Sequence, residues 1–175
     1  MVKSNLILIG MPGAGKSTVG VLAAKALGMA FIDTDLLIQE REGRLLQEII
    51  DCDGIERFLA VEEDVVLKLG DINSSVVATG GSVVYSRAGM ASLRANGLLV
   101  YLQLPYDELK KRIRNMTARG IVIGRGRTLW DLYNERIPLY ERYADVTLNC
   151  FRLSVEEVVE MVCRLWKEQK NAAGP

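Results

Sequence analysis

Lys16 and Ser17 close the stretch Gly10-Met11-Pro12-Gly13-Ala14-Gly15-Lys16-Ser17, which fits G-x-x-x-x-G-K-[ST] without a gap. Glycines at this spacing let the backbone turn its N–H groups inward as an anion-binding nest. A helix that starts there adds the partial positive charge of its N-terminus. Lys16 would reach the β- and γ-phosphates, and Ser17 would ligate Mg²⁺. Gly10, Gly13, Ala14, Gly15 and Thr18 complete the expected nucleotide cradle. An ordinary glycine-rich turn that happens to end in Lys-Ser is the alternative. The apolar run Leu6–Ile9 before it and the helical pattern from Thr18 after it favour the phosphate loop. The expected ligand is a nucleoside triphosphate.

Other charged residues sit where the same chemistry could use them. Asp33 and Asp35 follow the short apolar run Ala30-Phe31-Ile32, at the carboxyl end of a parallel strand, where open α/β sheets bind ligands. They could also serve only as caps of the next helix. Arg119, Arg125 and Arg127 alternate with Gly120, Gly124 and Gly126 in a segment, 116–128, that loses helical periodicity. Its composition fits a lid that closes over phosphates, with a solvated loop as the plainer alternative. Arg136 fits a ligand clamp or a surface ion pair with Glu135 or Glu141. The chain has no histidine, so a general base must be a carboxylate, lysine, tyrosine or the substrate, and metal ligands must be oxygens.

Apolar and helical patterns supply the elements that must position these groups. Strands are expected at Asn5–Ile9, Ala30–Ile32, Ser75–Ala78, Leu98–Leu102 and Asp145–Leu148. Helices are expected at Lys16–Leu27, ended by Gly28, and then at about 35–42, 44–51 and 55–69. Further helices are read at Arg87–Ala95, from Pro105 through Arg114, at Leu129–Tyr140 interrupted by Pro138, and at Ser154–Lys167 behind a Ser154/Glu157 capping box. This alternation predicts an α/β fold, a three-layer α/β/α sandwich on a five-stranded parallel sheet. The 175 residues fit one domain, 1–170, with 171–175 as a frayed tail.

Composition bounds the partners. Lys+Arg and Asp+Glu both number 22, which offers no net attraction to nucleic acid or an anionic membrane. Cys52, Cys150 and Cys163 lack metal-ligand spacing and read as buried free thiols in a reducing cytoplasm. No stretch approaches the ~20 apolar residues of a membrane span.

Several motifs together resemble the shikimate kinases, P-loop kinases of the nucleoside-monophosphate-kinase type. They are the P-loop running into Ser17-Thr18-Val19-Gly20, then Phe31-Ile32-Asp33-Thr34-Asp35, Ala78-Thr79-Gly80-Gly81 and Arg136-Ile137-Pro138-Leu139-Tyr140. The resemblance covers roughly residues 4 to 165. It implies a P-loop NTPase fold with strand order 2-3-1-4-5, a substrate subdomain at about 34–62 and a lid at about 116–128. It implies Asp33 near Mg²⁺, and Asp35 as hydrogen-bond acceptor and base for the acceptor hydroxyl. Gly80 and Gly81 would lie against the acceptor, and Arg136 would grip its carboxylate. Arg119 would neutralise the transferred phosphoryl group, and Arg112 would sit by the adenine or the phosphates. Lys16, Asp35 and Arg119 are therefore the expected catalytic residues of a monomeric cytoplasmic kinase. It would use ATP, Mg²⁺ and a small acceptor, with no nucleic-acid or membrane partner.

The chain departs from the family at the acceptor. Family members usually carry Phe-Arg-x-x-Glu, whose arginine is a second carboxylate clamp; here the segment reads Phe58-Leu59-Ala60-Val61-Glu62. An arginine at position 59 would share a helix face with Glu62 and pair with it. Losing a buried contact of that kind costs roughly 2–5 kcal/mol, about 30- to several-thousand-fold in affinity. Ser82 replaces a third glycine, and Arg119-Gly120-Ile121-Val122 replaces Arg-Pro-Leu-Leu. The leading expectation is a shikimate kinase. A same-fold kinase for another small hydroxyl compound, or a nucleotide-binding protein without turnover, stand as alternatives.

Overall fold

Leu6, Ile7, Leu8 and Ile9 are almost wholly shielded from solvent, as a strand covered on both faces requires. A computed structural model describes residues 3–114 and 126–172 and places this run at the centre of the sheet. The strands are β1 (Asn5–Ile9), β2 (Ala30–Asp33), β3 (Ser75–Ala78), β4 (Gly97–Gln103) and β5 (Val146–Asn149). They pair in parallel in the order β2-β3-β1-β4-β5, with Leu6 opposite Val76 on one side and Leu98 on the other. Fold class, strand order and all five strands agree with the sequence reading, within one residue at most boundaries.

Helices α1 (Lys16–Leu27), α2 (Thr34–Glu42), α3 (Leu46–Leu67), α4 (Arg87–Asn96), α5 (Tyr106–Arg114), α6 (Leu129–Tyr143) and α7 (Val155–Ala172) surround the sheet. Two apolar clusters divide the packing. The larger is built on β1, β3 and β4, while Ile38, Leu46, Ile49, Phe58, Val61 and Val65 form a smaller one between α2 and α3. This second cluster lets α2 and α3 stand on their own core while their ends meet the sheet.

Two local readings are corrected, and one is borne out: the helices expected at 44–51 and 55–69 are two helical stretches that join as α3 across a kink. The kink lies at Gly54, where φ 85° and ψ 166° take the chain out of helical geometry. Pro138 does not interrupt α6, which continues to Tyr143. Leu132, Arg136 and Tyr140 recur every four residues and are all buried, so side-chain packing on both sides of the proline offsets its missing N–H. Helix α7 extends to Ala172, and residues 173–175 lie outside the described residues. The Ser154/Glu157 capping box is present, with the Ser154 N–H donating to Glu157 Oε2 at 2.7 Å.

At the end of the sheet opposite the P-loop, Asn5 is buried and ties β1 to β3. Its Nδ2 donates to the Ile72 carbonyl at 2.8 Å, and its Oδ1 accepts the Ser75 N–H at 3.1 Å. An isosteric apolar side chain would strand that buried N–H, a loss of about 1–3 kcal/mol. Asn5→Leu is therefore expected to lower the urea midpoint by that stability with an unchanged slope. An unshifted midpoint would show that water or a rearranged ladder satisfies Ser75.

Candidate active site

Because every strand is parallel, the segments that leave β1, β2 and β3 emerge at one edge of the sheet. The P-loop leaves β1, Asp33-Thr34-Asp35 leaves β2, and Thr79-Gly80-Gly81-Ser82 leaves β3. A cleft of about 410 Å³ opens between them, within the range of small-ligand sites. Gly13, Ala14, Gly15, Lys16, Ser17 and Thr18 line one side of it, and Asp35, Gly80, Gly81 and Arg136 line the other, with Arg112 also at its wall.

The P-loop has the backbone its glycines permit. Gly13 and Gly15 take positive φ values of 81° and 94°, and Gly15 is the N-cap of α1. Lys16 is buried, and its ammonium donates to the carbonyls of Gly10 at 2.7 Å and Met11 at 2.9 Å. Burial lowers its pKa to about 8, while Asp35 and Asp33 oppose that shift by favouring the charged form. Arg112 reaches over the loop, with Nη1 donating to the Gly13 carbonyl at 3.5 Å.

Two expected site residues are placed differently from the rest. Gly10 does not line the cleft; its carbonyl instead holds Lys16. Asp33 also stays off the lining and caps α2, with Oδ1 accepting the Asp35 N–H at 3.0 Å. Asp33 thus caps α2, while Asp35 lines the cleft. Arg119, Arg125 and most of the expected lid lie outside the described residues. Arg127, at the described end of that segment, pairs with Glu135.

Arg136 is only 1% exposed, so the surface ion-pair alternative is excluded. Its Nε donates to the Tyr85 hydroxyl at 3.1 Å, and its guanidinium lies 4.9 Å from the Tyr85 ring centroid. Tyr140, one turn further along α6, donates to the Gly81 carbonyl at 2.6 Å and stacks on Tyr101 at 5.1 Å. Gly80 is tied to the start of α2, its N–H donating to Thr34 Oγ1 at 2.9 Å. A Cβ added to Gly80 would come within 2.2 Å of Glu62 Oε1 and 2.9 Å of Asp35 Oδ1. Only a residue without a side chain leaves both carboxyls room there.

Sequence reasoning missed three members of this site. Phe58 lines the cleft, Tyr85 orients Arg136, and Glu62 is buried against Gly80. Glu62 carried a signal, its place in the family motif, but its 2% exposure was not readable from spacing. Tyr85 carried none, being 51 residues from Arg136. Leu59 is half-buried and packs on the smaller apolar cluster, and Arg57 is exposed beside Glu42 at 3.7 Å. Arg57 therefore does not take the place of the missing guanidinium.

Among the described residues, no group of three or more His, Cys, Asp or Glu could hold a metal ion by itself. One hydroxyl and one or two carboxylates facing a phosphate loop fit Mg²⁺, which keeps several waters and is bound largely through substrate phosphates. Among the described residues, no helix is long and apolar enough to cross a membrane.

Comparison with known proteins agrees with this geometry. The family model described as shikimate kinase matches residues 12–166. The chain is 39% identical over 155 residues to the shikimate kinase of Thiobacillus denitrificans, covering 87% of this chain and 85% of that one. It is 36% identical over 159 residues to the shikimate kinase of Thermobifida fusca, covering 90% and 92%. Among solved structures, shikimate kinase from Acinetobacter baumannii in complex with shikimate is similar with a TM-score of 0.88 at 28% identity, covering 96% of this chain and 95% of that one.

The crowding at Gly80 yields a specific expectation. Gly80→Ala pushes Glu62 and Asp35 aside, and a displacement near 1 Å costs on the order of 10²-fold in turnover. Acceptor-dependent kcat should fall by about that factor while ATP-analogue affinity, read by titration calorimetry, stays unchanged. An equal loss in nucleotide affinity would place Gly80 in the nucleotide half instead.

Proposed function

This chain belongs to the shikimate kinase family, and on that premise we propose that it transfers the γ-phosphoryl group of ATP to a hydroxyl of shikimate in the cleft between the P-loop and α3. The observation that carries this reading is the convergence of Lys16, Asp35, Gly80 and Arg136 on one cleft from four different parts of the chain.

The P-loop amides and Lys16 hold the β- and γ-phosphates, with Arg112 over the loop. Binding draws the Lys16 ammonium from the Gly10 and Met11 carbonyls toward the phosphates, which hold it charged. Ser17, together with Asp33 from its place at the α2 cap, would hold Mg²⁺, and the ion would supply positive charge that offsets the charge of the phosphates. Arg136, kept planar against Tyr85, grips the acceptor carboxylate. Asp35 accepts the hydrogen bond of the acceptor hydroxyl, takes its proton as the oxygen attacks the γ-phosphorus, and leaves ADP as the departing group. Arg119, in the segment 116–128 read as a lid, neutralises the phosphoryl charge in flight. Residues 34–62, standing on their own apolar cluster, act as the acceptor-binding subdomain of a single kinase domain. The free thiols suit a cytoplasmic monomer, whose ligands are small molecules and not nucleic acid or membrane. Exposed Cys52 corrects the expectation that all three thiols are buried.

Leu59 favours one second reading, a kinase of this build whose acceptor needs only one guanidinium. Coupled ADP release with Mg-ATP, with and without saturating shikimate, separates the two. Shikimate-dependent turnover is expected in wild type. In Arg136→Met, kcat/KM for shikimate should drop by about 30- to several-thousand-fold, the 2–5 kcal/mol of a buried charged contact, with KM for ATP unchanged. Wild-type ADP release that ignores shikimate but responds to another hydroxyl compound would establish the second reading.

A further inference from the structure

Glu62 is a buried carboxyl that the phosphoryl-transfer reading leaves without a task. It lies on α3, 2% exposed, and Oε1 has no hydrogen-bond partner among the described residues. That oxygen borders Gly80, which lines the cleft as Asp35 does, and Asp35 Oδ1 borders the same glycine. Both oxygens fall within 3 Å of one point, the place a Gly80 Cβ would occupy. Two carboxylates facing each other across a glycine cannot both stay ionised without a cation or a proton between them.

The cation that the family pattern supplies is absent, because position 59, one turn before Glu62, is leucine and packs on the smaller apolar cluster. The groups facing Glu62 from the surrounding elements are Lys16 of α1, Asp35 of α2, Arg136 and Tyr140 of α6, and the Ser82 hydroxyl after β3. Lys16 is held by two loop carbonyls, Arg136 donates to Tyr85, and Tyr140 donates to the Gly81 carbonyl. Lys16 and Arg136 are, moreover, the groups that phosphate and acceptor carboxylate claim. Ser82 stands where the family has a third glycine and adds a hydroxyl beside Glu62, too little to replace a guanidinium.

Resting on the shikimate reading above, we propose that Glu62 is a specificity-determining residue that enters the acceptor complex as a neutral carboxylic acid, its Oε1 donating a hydrogen bond to an acceptor oxygen. A proton does there what a second arginine does elsewhere. Burial, with the Asp35 charge in support, raises the Glu62 pKa to about 7, against the pull of Ser82, Arg136 and Lys16. The sign follows: below pH 7 the acid is already protonated, and above it the acceptor must bring a proton in. Acceptor affinity therefore falls as pH rises past 7, up to about tenfold per unit. The chain has no histidine, and Lys16, whose pKa of about 8 falls in the same window, is held charged by the phosphates of the bound ATP analogue.

The test is calorimetric titration of shikimate into protein saturated with a non-hydrolysable ATP analogue, from pH 6 to 8.5, in two buffers of different ionisation heat. Wild type should weaken by about tenfold between pH 7.5 and 8.5 and take up a proton at pH 8. Glu62→Gln, neutral with a donor at all pH values, should lose both the pH dependence and the uptake. Leu59→Arg should lose them too, because the guanidinium keeps Glu62 ionised. Flat wild-type affinity without proton uptake would overturn the proposal. Infrared difference spectra of wild type against Glu62→Gln, recorded without acceptor, read the same proton independently. A protonated carboxyl band present at pH 6 and lost by pH 8.5 supports the proposal, and its absence at pH 6 overturns it. Shikimate that binds at no pH would sink the acceptor reading instead, with the infrared band still deciding the state of Glu62.

Discussion

A lysine ammonium buried in a loop of glycines is costly, and the rest of this structure is arranged around offsetting that cost. Lys16 is shielded from water, yet it must be charged to meet phosphates. Two loop carbonyls and the carboxylates that follow β2 surround it. The carbonyls are available because the glycines turn the loop back on itself. The carboxylates are in range because β2 and β1 run parallel, one strand apart, and end at the same edge. The sheet is thus the device that converts distant sequence positions into one electrostatic site.

The same logic sets the acceptor half, with the signs reversed. Here Arg136 is the buried cation, held by Tyr85, and Glu62 is the carboxyl that faces it, with Asp35 in turn beside Glu62. Without the arginine of the family motif, this half of the cleft is short of positive charge in the absence of substrate. An acceptor carboxylate adds a further negative charge, so binding must recruit compensation from a proton or from Arg136 alone. Leu59 alters the balance of the pocket from the margin of its frame: it packs against the cluster between α2 and α3, whose buried members are Ile38, Leu46, Ile49, Phe58, Val61 and Val65.

Much of this was legible in the sequence, for physical reasons that also mark where reading stops. The P-loop, the Asp-Thr-Asp segment and the Thr-Gly-Gly segment are contiguous, and each requires particular residue types at fixed spacing. Strand positions were clear because a doubly covered parallel strand needs an unbroken apolar run. What escaped is set by contacts between residues far apart in sequence. Tyr85 against Arg136, Asn5 against Ser75 and Glu62 against Gly80 have no local signature. Pro138 misled because its local cost is real, but the buried stripe Leu132-Arg136-Tyr140 outweighs it. Asp33 carried two valid readings, and the α2 cap is the one the structure displays.

The central claim, that this cleft moves a phosphoryl group from ATP to shikimate, is tested most directly by following phosphorus itself. Phosphorus NMR of Mg-ATP with shikimate and the wild-type protein should show the γ-phosphate signal decline as a phosphomonoester signal of equal area grows. Growth of inorganic phosphate alone, or an unchanged γ-phosphate signal, would contradict the account.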